Sequence, residues 1–255
     1  MIKIGDLVTR KSYNNDIVFR VIDIRDSVYY LCGVSVRLSA DSPLSDLVLC
    51  NNDEVEDNFE VEVDEYRDLD RHEYFYLPGK VLHIDGDKEF LERCMNFYKK
   101  NKIKAYGVFS LEDELPEHIY DYLDRYNPDI LVITGHDSMY KRKRSSGSYK
   151  NTDNFVRAVR EARRYEKSHE KLLIIAGACQ SNYEELIKAG ANFASSPKRI
   201  NIHALDPAIV ASSLSFSDKS RDIDLIHILG KTKYGVDGMG GIITKGTMYI
   251  GYPRE

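Results

Sequence analysis

Long apolar runs and an export signal are both missing from this sequence. No stretch approaches the ~20 consecutive apolar residues that a membrane helix needs, and the opening segment MIKIGDLVTRK has no apolar core of the kind found in signal peptides. A chain of 255 residues with 42% hydrophobic residues can still build a sizeable core. We therefore expect a globular protein with no membrane partner that is synthesised for the cytosol.

Clustered cysteines and an excess of positive charge are also missing. The chain has no Cys-x-x-Cys pair and no cysteine and histidine cluster at metal-ligand spacing, which predicts free thiols and no metal. The four cysteines are Cys32, Cys50, Cys94 and Cys179. The formal net charge of −5 argues against dedicated nucleic-acid binding.

The first fifty residues have the pattern of a small β domain. β-branched residues are frequent in Ile17–Ile24, and apolar and polar residues alternate in Val34–Leu38 as in a half-buried strand. This density of short strands predicts a small SH3-like β-barrel domain over residues 1–50, and an extra β layer on the main domain is the alternative. Residues 51–76 are expected to be an acidic linker, because a run of like charges repels itself.

Strands and helices alternate from residue 77 to residue 255. This pattern predicts an α/β domain with a mostly parallel sheet flanked by helices. The strands are apolar runs of the kind that is buried on both faces. They are expected at Lys80–Ile84, Ala105–Phe109, Ile130–Thr134, Leu172–Ala176 and Asn192–Ser195, with a terminal hairpin through Gly238, Gly240 and Gly241 to Tyr249.

Two of these apolar runs end in small-residue turns that carry a reactive side chain. The first run leads to His136 and the second to Cys179, and reactive groups in open α/β sheets lie beyond the carboxyl ends of the strands. Ser181 and Glu184 have the spacing of a capping box, so a helix is expected directly after the cysteine, where its dipole would favour the thiolate. The alternative is that Cys179 is an inert core residue.

Two histidines compete for the role of base. His136 ends its own buried strand, so it would project from the same sheet edge as Cys179 if the two strands are neighbours. His203 follows the cysteine in the chain, as in a glutaminase-like hydrolase. The sheet geometry favours His136, and His83, inside a predicted strand, is expected to be a structural histidine.

Four stretches resemble the YabG family of sporulation-specific proteases. They are GDLVTRKSYNNDIVFRVIDI (Gly5–Ile24), LPGKVLHIDGD (Leu77–Asp87), PDILVITGHDS (Pro128–Ser138) and IIAGACQSNYEELIKAGANFASSPKRINIHALDP (Ile174–Pro207). The resemblance implies a cysteine endopeptidase that cleaves after arginine and processes spore-coat and germination proteins. It also implies a fold related to the clostripain and caspase group, and association with the spore coat.

The expected mechanism uses a dyad of Cys179 and His136 and no cofactor. The backbone N–H groups of Cys179 and Asp137 are the expected oxyanion donors. The clostripain and caspase group usually has glycine after the histidine, whereas this chain has Asp137, and Gly177 replaces the acidic residue or glutamine two positions before the cysteine.

Cleavage after arginine requires a carboxylate in the substrate pocket. The candidates at predicted strand or loop ends are Asp85, Asp87, Asp137 and Asp206. Self-cleavage is a further hypothesis, with Arg67, Arg71 and the basic run Lys141–Arg144 as candidate positions. A glutaminase-like hydrolase using His203 and a non-catalytic scaffold for coat assembly remain as alternative functions.

Overall fold

The computed structural model describes residues 2–50, 59, 61, 70–140 and 148–253, and its N-terminal part is an antiparallel sheet. The sheet has the strand order β4-β3-β2-β1-β5. Its strands are β1 (Leu7–Arg10), β2 (Phe19–Arg25), β3 (Val28–Gly33), β4 (Ser39–Pro43) and β5 (Leu47–Leu49). A bulge between Val21 and Asp23 bends β2, as expected where an extra residue disrupts an antiparallel ladder.

The predicted SH3-like barrel over residues 1–50 is not confirmed. The short strands β4 and β5 lie at opposite edges and do not pair with each other, so the sheet stays open. The predicted strand Val34–Leu38 does not join this sheet either. Val36 and Leu38 instead form isolated bridges to His203 and Asp137 in the second half of the chain.

The predicted α/β architecture is confirmed by a six-stranded sheet with the order β14-β13-β12-β9-β7-β8. Its first five strands in the chain are parallel, and β14 runs antiparallel to β13. The strands are β7 (Val81–Asp85), β8 (Ala105–Phe109), β9 (Ile130–Thr134), β12 (Leu173–Ala176), β13 (Phe193–Ser195) and β14 (Met239–Gly241). Every residue of β7, β9 and β12 is buried, as expected for parallel strands covered on both faces.

Helices cover both faces of this sheet. The helices are α1 (Lys88–Lys100), α2 (Leu115–Tyr126), α3 (Thr152–Tyr165), α4 (Tyr183–Ala189), α5 (Asp206–Phe216), α6 (Leu225–Gly230) and α7 (Gly235–Gly238). One apolar core contains residues of α2, α3 and α4. The other contains residues of α1 and α5 together with the N-terminal sheet, so that sheet packs directly on the α/β unit.

Two short sheets complete the described structure. They are formed by β6 (Phe75–Leu77) with β15 (Tyr249–Gly251), and by β10 (Met139–Tyr140) with β11 (Ser148–Tyr149). The expected terminal hairpin is wrong, because β14 joins the main sheet while β15 pairs with β6. Most of the predicted linker, including Arg67, and the run Lys141–Arg144 lie outside the described residues. In the part of the chain that is described, no helix is long and apolar enough to cross a membrane.

Candidate active site at the carboxyl edge of the sheet

The chemically interesting residues meet where the strand order reverses. The strand β7 lies between β8 and β9, so the helices leaving the ends of β7 and β9 diverge and open a crevice, which is where ligands bind in sheets of this type. Asp85 ends β7, and His136 follows the end of β9. The neighbouring strand β12 leads to Cys179. The sequence therefore predicted that these residues lie at one edge of the sheet.

The connection between β3 and β4, residues 34–38, crosses this edge, and we name it the Arg37 segment. It lies alongside the residues that follow β13. The N–H of Arg37 donates to the Ile202 carbonyl at 3.4 Å, and the N–H of Ala204 donates to the Ser35 carbonyl at 3.1 Å. The segment is thus held by alternating backbone hydrogen bonds, which is the way an extended peptide adds to a protein.

The carbonyl oxygen of Arg37 accepts two backbone hydrogen bonds. One comes from the N–H of Cys179 at 3.3 Å and the other from the N–H of Asp137 at 3.5 Å. Two N–H groups that converge on one carbonyl oxygen form the arrangement that stabilises a tetrahedral oxyanion. They are the same two donors that the sequence predicted.

The guanidinium of Arg37 is completely buried in the crevice. Its Nη1 lies 2.7 Å from Asp85 Oδ2, and its Nε and Nη2 donate to the Ala204 carbonyl at 3.2 and 3.0 Å. The ring of Phe90 lies 5.1 Å from the guanidinium carbon. Burial alone would raise the pKa of Asp85, but the adjacent guanidinium holds it well below its usual range. Asp85 is therefore ionised and pairs with the arginine.

Neighbouring donors hold the Asp85 carboxylate in position. The Thr134 hydroxyl donates to Oδ2 at 3.0 Å, and the N–H of Asp87 donates to Oδ1 at 3.0 Å. His83 Nε2 lies 3.5 Å from Asp85 Oδ2, and His83 Nδ1 lies 2.9 Å from the Tyr98 hydroxyl, which holds the imidazole in place. This support matters because a buried charge is tolerated only when it is paired and hydrogen-bonded.

Cys179 lies beneath the Arg37 segment. Its Sγ accepts a hydrogen bond from the N–H of Ile202 at 3.2 Å, and its side chain is fully buried. Burial raises the pKa of the Cys179 thiol well above its usual value, although the hydrogen bond from Ile202 opposes this effect. In the arrangement seen here the side chain is therefore a neutral thiol, contrary to the expected thiolate.

The predicted helix after Cys179 is confirmed, but Ser181 is not its N-cap as the capping-box spacing suggested. The helix α4 begins at Tyr183, with Asn182 as its N-cap. The Ser181 hydroxyl accepts from the N–H of Ala178 at 3.0 Å and donates to Asp137 at 2.8 Å, so it does not cap the helix. The helix dipole consequently does not act directly on the thiol.

His136 contacts a different cysteine from the predicted one. Its Nε2 lies 2.8 Å from Asp87 Oδ2 and 3.0 Å from Cys32 Sγ. Burial alone would lower the pKa of His136, but its contacts with Asp87 and Cys32 raise it to about 10. Within the described residues His136 and Cys179 share no hydrogen bond, so the structure brings them to one edge without joining them as a dyad.

Cys32 was not singled out from the sequence. It lies in β3, opposite Arg20 and Ser39 on the neighbouring strands, and its sequence neighbours give no signal for a site. One ligand atom each from Cys32, Asp87 and His136 lies within 4.8 Å of the others. Thiolate, imidazole and carboxylate are ligands that zinc accepts, so these three residues could hold a metal ion.

The other predicted carboxylates have partners of their own. Asp137 is fully buried, where its oxygens accept from the N–H groups of Ser138 and Asn151, each at 2.8 Å, and from the hydroxyl of Thr152. Burial raises the pKa of Asp137.

Asp87 also caps α1 by accepting from the N–H of Phe90 at 3.0 Å. Asp206 accepts from the N–H groups of His203 at 2.8 Å and Lys233 at 2.9 Å. The alternative base His203 is buried as well, and its Nδ1 accepts from the N–H of Leu205 at 3.2 Å. Of the four candidate carboxylates, Asp85 makes the ion pair with the buried arginine.

Comparison with known proteins gives a consistent result along the chain. The sequence matches the family model described as YabG peptidase U57 over residues 3–71 and 60–253. It is 41% identical over 285 aligned positions to the sporulation-specific protease YabG of Bacillus subtilis (strain 168), an alignment that covers 99% of this chain and 98% of the relative. No solved structure matches. The chain belongs to the YabG peptidase U57 family.

Proposed function

We propose that this protein is a cysteine endopeptidase that cleaves after arginine, with Cys179 as the nucleophile and His136 as the acid and base. The observation that carries the proposal is the position of Arg37. Its carbonyl oxygen accepts hydrogen bonds from the N–H groups of Cys179 and Asp137, and its guanidinium forms an ion pair with Asp85. One arginine of the chain thus fills both subsites that an arginine-specific peptidase needs.

Catalysis begins with the thiolate of Cys179, which adds to the carbonyl carbon of the substrate arginine. The two N–H groups stabilise the negative charge that develops on the oxygen. The C–N bond then breaks, and His136 gives a proton to the departing amine. Water hydrolyses the resulting thioester, which releases the new carboxylate and restores the cysteine. Asp87 supports these steps by orienting His136.

Activation requires a change from the arrangement described above. Cys179 is a neutral thiol there, and Asp87 and Cys32 hold His136 protonated. When the Arg37 segment leaves the cleft, water reaches the thiol and lowers its pKa, because desolvation is what raised it. His136 then exchanges its contact with Cys32 for one with the Cys179 thiolate.

The family relationship supports a setting for this activity. Since the Bacillus subtilis relative is a sporulation-specific protease, we propose that this protein acts in sporulating cells. Its natural substrates would be spore-coat and germination proteins that present arginine, and the enzyme would associate with the spore coat after synthesis in the cytosol. The chemistry uses only groups of the chain and needs no cofactor.

A second candidate nucleophile is Cys32, favoured by the 3.0 Å separation of its Sγ from His136 Nε2. Cys32 lies inside β3, which is hydrogen-bonded to β2 and β4 on its two sides. The pair of N–H groups that receives the Arg37 carbonyl belongs to the Cys179 turn. We therefore assign the nucleophile to Cys179.

A panel of variants tests the assignment. Hydrolysis of a fluorogenic peptide ending in arginine is measured for the wild type and for Cys179→Ala, His136→Ala, Cys32→Ala and His203→Ala, with circular dichroism as the check of folding. Activity is expected to vanish in the first two folded variants and to persist in the last two.

Other results would identify another function. Loss of activity in Cys32→Ala with full activity in Cys179→Ala would move the nucleophile to Cys32. Dependence on His203 instead of His136 would support the glutaminase-like hydrolase. A folded wild type that cleaves neither the peptide nor a coat protein would support the scaffold.

A further inference from the structure

Three side chains that are able to bind a metal meet at His136. Its Nε2 lies 2.8 Å from Asp87 Oδ2 and 3.0 Å from Cys32 Sγ, and the sulfur lies 3.8 Å from the same carboxylate oxygen. Ligand atoms around a tetrahedral zinc ion, at bond lengths of ~2.0–2.3 Å, are ~3.3–3.7 Å apart. The observed separations bracket this range. The sulfur also lies 3.7 Å from Nδ1, so a rotation of the Cys32 side chain would bring it toward a cation in line with Nε2.

Hydrogen bonds outside this cluster already hold two of the ligands in place. The other carboxylate oxygen of Asp87 accepts from the N–H of Phe90 at 3.0 Å, which leaves Oδ2 facing His136. The N–H of His136 donates to Glu112 at 2.9 Å, and its carbonyl accepts from the Asn151 side chain at 2.7 Å. Supporting hydrogen bonds of this kind orient the ligands of metal sites. Asp87 and His136 therefore need little rearrangement to bind a cation.

A cavity beside the cluster provides room for a fourth ligand. It has a volume of about 80 Å³, and Cys32, Asp87, Arg20 and Glu89 form part of its lining. Zinc sites with three protein ligands keep their fourth position for water, and the cavity exceeds the ~30 Å³ that a water molecule occupies in the liquid. Glu89 pairs with Arg20 at 2.6 Å, so water is the expected fourth ligand.

The chemistry of the three ligands favours zinc over the common alternatives. Thiolate, imidazole and carboxylate suit zinc, whereas calcium and magnesium prefer oxygen ligands. The thiolate of Cys32 and the carboxylate of Asp87 would balance the charge of the divalent ion, and the protons it displaces go to the solvent. Among the residues that the structure describes, this is the one group of three or more His, Cys, Asp and Glu side chains with ligand atoms this close together.

We propose that Cys32, Asp87 and His136 form a zinc site and that zinc bound there reversibly inhibits the peptidase. An ion on Nε2 competes with the proton that the imidazole must carry, so the ring can no longer act as the acid and base. The ion also holds the imidazole beside Cys32 and away from Cys179. The inhibitory role rests on the proposed peptidase function, whereas the metal site does not.

Cobalt(II) tests the site without an activity assay, because a bond between cobalt and a thiolate absorbs in the near ultraviolet. The full-length chain, freed of metal by a chelator, is titrated with Co²⁺ and then with Zn²⁺. The wild type is expected to gain this absorption with a single ion per chain, and zinc is expected to remove it. Cys32→Ala is expected to show no such band. Cys32→Ser takes its place if the alanine variant fails to fold, because a hydroxyl gives no thiolate band.

Two further cysteine variants are controls for the position of the metal. Cys50→Ala changes a cysteine that is also half-buried but lies outside the cluster, and it is expected to keep the band. Cys179→Ala is expected to keep the band as well. This second result distinguishes the site from a metal ion held by the proposed nucleophile.

The arginine peptide tests the inhibitory role. Zinc is expected to stop hydrolysis by the wild type, and a chelator is expected to restore it. Loss of a residue that only supports a metal ligand costs ~10–100-fold in affinity, and Cys32 is itself a ligand. Cys32→Ala is therefore expected to remain active and to need at least ~10–100-fold more zinc for half inhibition, whereas Cys50→Ala should match the wild type.

The outcomes separate this inference from the proposed function. A cobalt band that persists in Cys32→Ala, or that disappears in Cys179→Ala, would refute the site. If zinc saturates the site while hydrolysis of the peptide continues undiminished, the inhibitory role is refuted and the peptidase function stands. If the metal-free wild type binds cobalt through Cys32 but hydrolyses no arginine peptide, the proposed function fails and the metal site stands.

Discussion

Replacing Asp85 by asparagine isolates the charge that the proposed pocket would offer to a substrate arginine. The carboxylate is fully buried and lies 2.7 Å from the Arg37 guanidinium. Removing one partner of a buried, hydrogen-bonded charge pair costs ~2–5 kcal/mol. Since 1.36 kcal/mol corresponds to a factor of ten in rate, kcat/KM for an arginine peptide is expected to fall by a factor of ~30 to ~5,000 in Asp85→Asn.

Two peptides that differ only in charge make this assay specific. Citrulline has the shape of arginine without its positive charge, so the wild type is expected to prefer the arginine peptide by a factor of the same order. Asp85→Asn is expected to lose this preference. The matched control is Asp206→Asn, since Asp206 is also a buried carboxylate at this edge but bonds to the N–H groups of His203 and Lys233. A strong preference for arginine that persists in folded Asp85→Asn would refute the assignment of the pocket.

Three further changes have defined outcomes. Asp87→Asn removes a contact that raises the pKa of His136, so the alkaline limb of the pH profile of kcat/KM is expected to move to lower pH; an unmoved limb would exclude His136 as its source. Gly177→Ala is expected to lower both stability and peptidase activity, because φ at this position is +107° and a Cβ would lie 2.4 Å from Ser195 Oγ. Chemical denaturation and a parallel peptide assay measure the two effects. Unchanged values would contradict the geometry of this turn. Burial raises the pKa of Asp206 to about 6 from 3.8, so the protonated carboxyl stabilises the fold below pH 3.8, and about 3 kcal/mol of stability is lost as the pH rises through 6. The unfolding free energies of Asp206→Asn and the wild type are therefore expected to diverge in favour of the variant between pH 4 and 7. A difference that stays constant with pH would contradict this.

The sequence was sufficient to predict the parallel sheet and the edge at which the candidate site residues lie. The runs Ile130–Thr134 and Leu172–Ala176 are apolar throughout, and such runs followed by small residues identify buried parallel strands and the turns after them. Parallel strands place the residues that follow them at one edge, so His136, Cys179 and the end of β7 could be assigned to it. Local pattern and overall topology agree here, and the prediction depended on nothing distant in the chain.

The contents of the cleft could not be predicted in the same way. Alternation in Val34–Leu38 placed Arg37 on the polar face of a strand, where an arginine is normally exposed. Its burial depends on Asp85, which lies far along the chain, and no local pattern encodes that pairing. Cys32 was missed for the same reason, because its contact with His136 joins two separate sheets.

The chemistry of Cys179 was misjudged because burial was not foreseen. A capping-box spacing after the cysteine suggested activation by a helix dipole, but Ser181 uses its hydroxyl within the turn and α4 starts at Tyr183. The thiol instead lies beneath residues from the N-terminal sheet, and desolvation dominates its pKa. Hydrogen bonds within the turn and burial beneath the N-terminal sheet therefore outweigh the effect that the capping-box spacing suggested.

The N-terminal sheet therefore contributes directly to the proposed active site. The Arg37 segment is the connection between β3 and β4, and it is anchored at both ends by strands of that sheet. It also contributes the carbonyl that accepts hydrogen bonds from the proposed oxyanion donors and the cation that neutralises Asp85. A buried, unpaired Asp85 would be costly, so the pocket is stable when it is filled by an arginine or open to water. The Arg37 segment supplies the first state, and its departure from the cleft would supply the second.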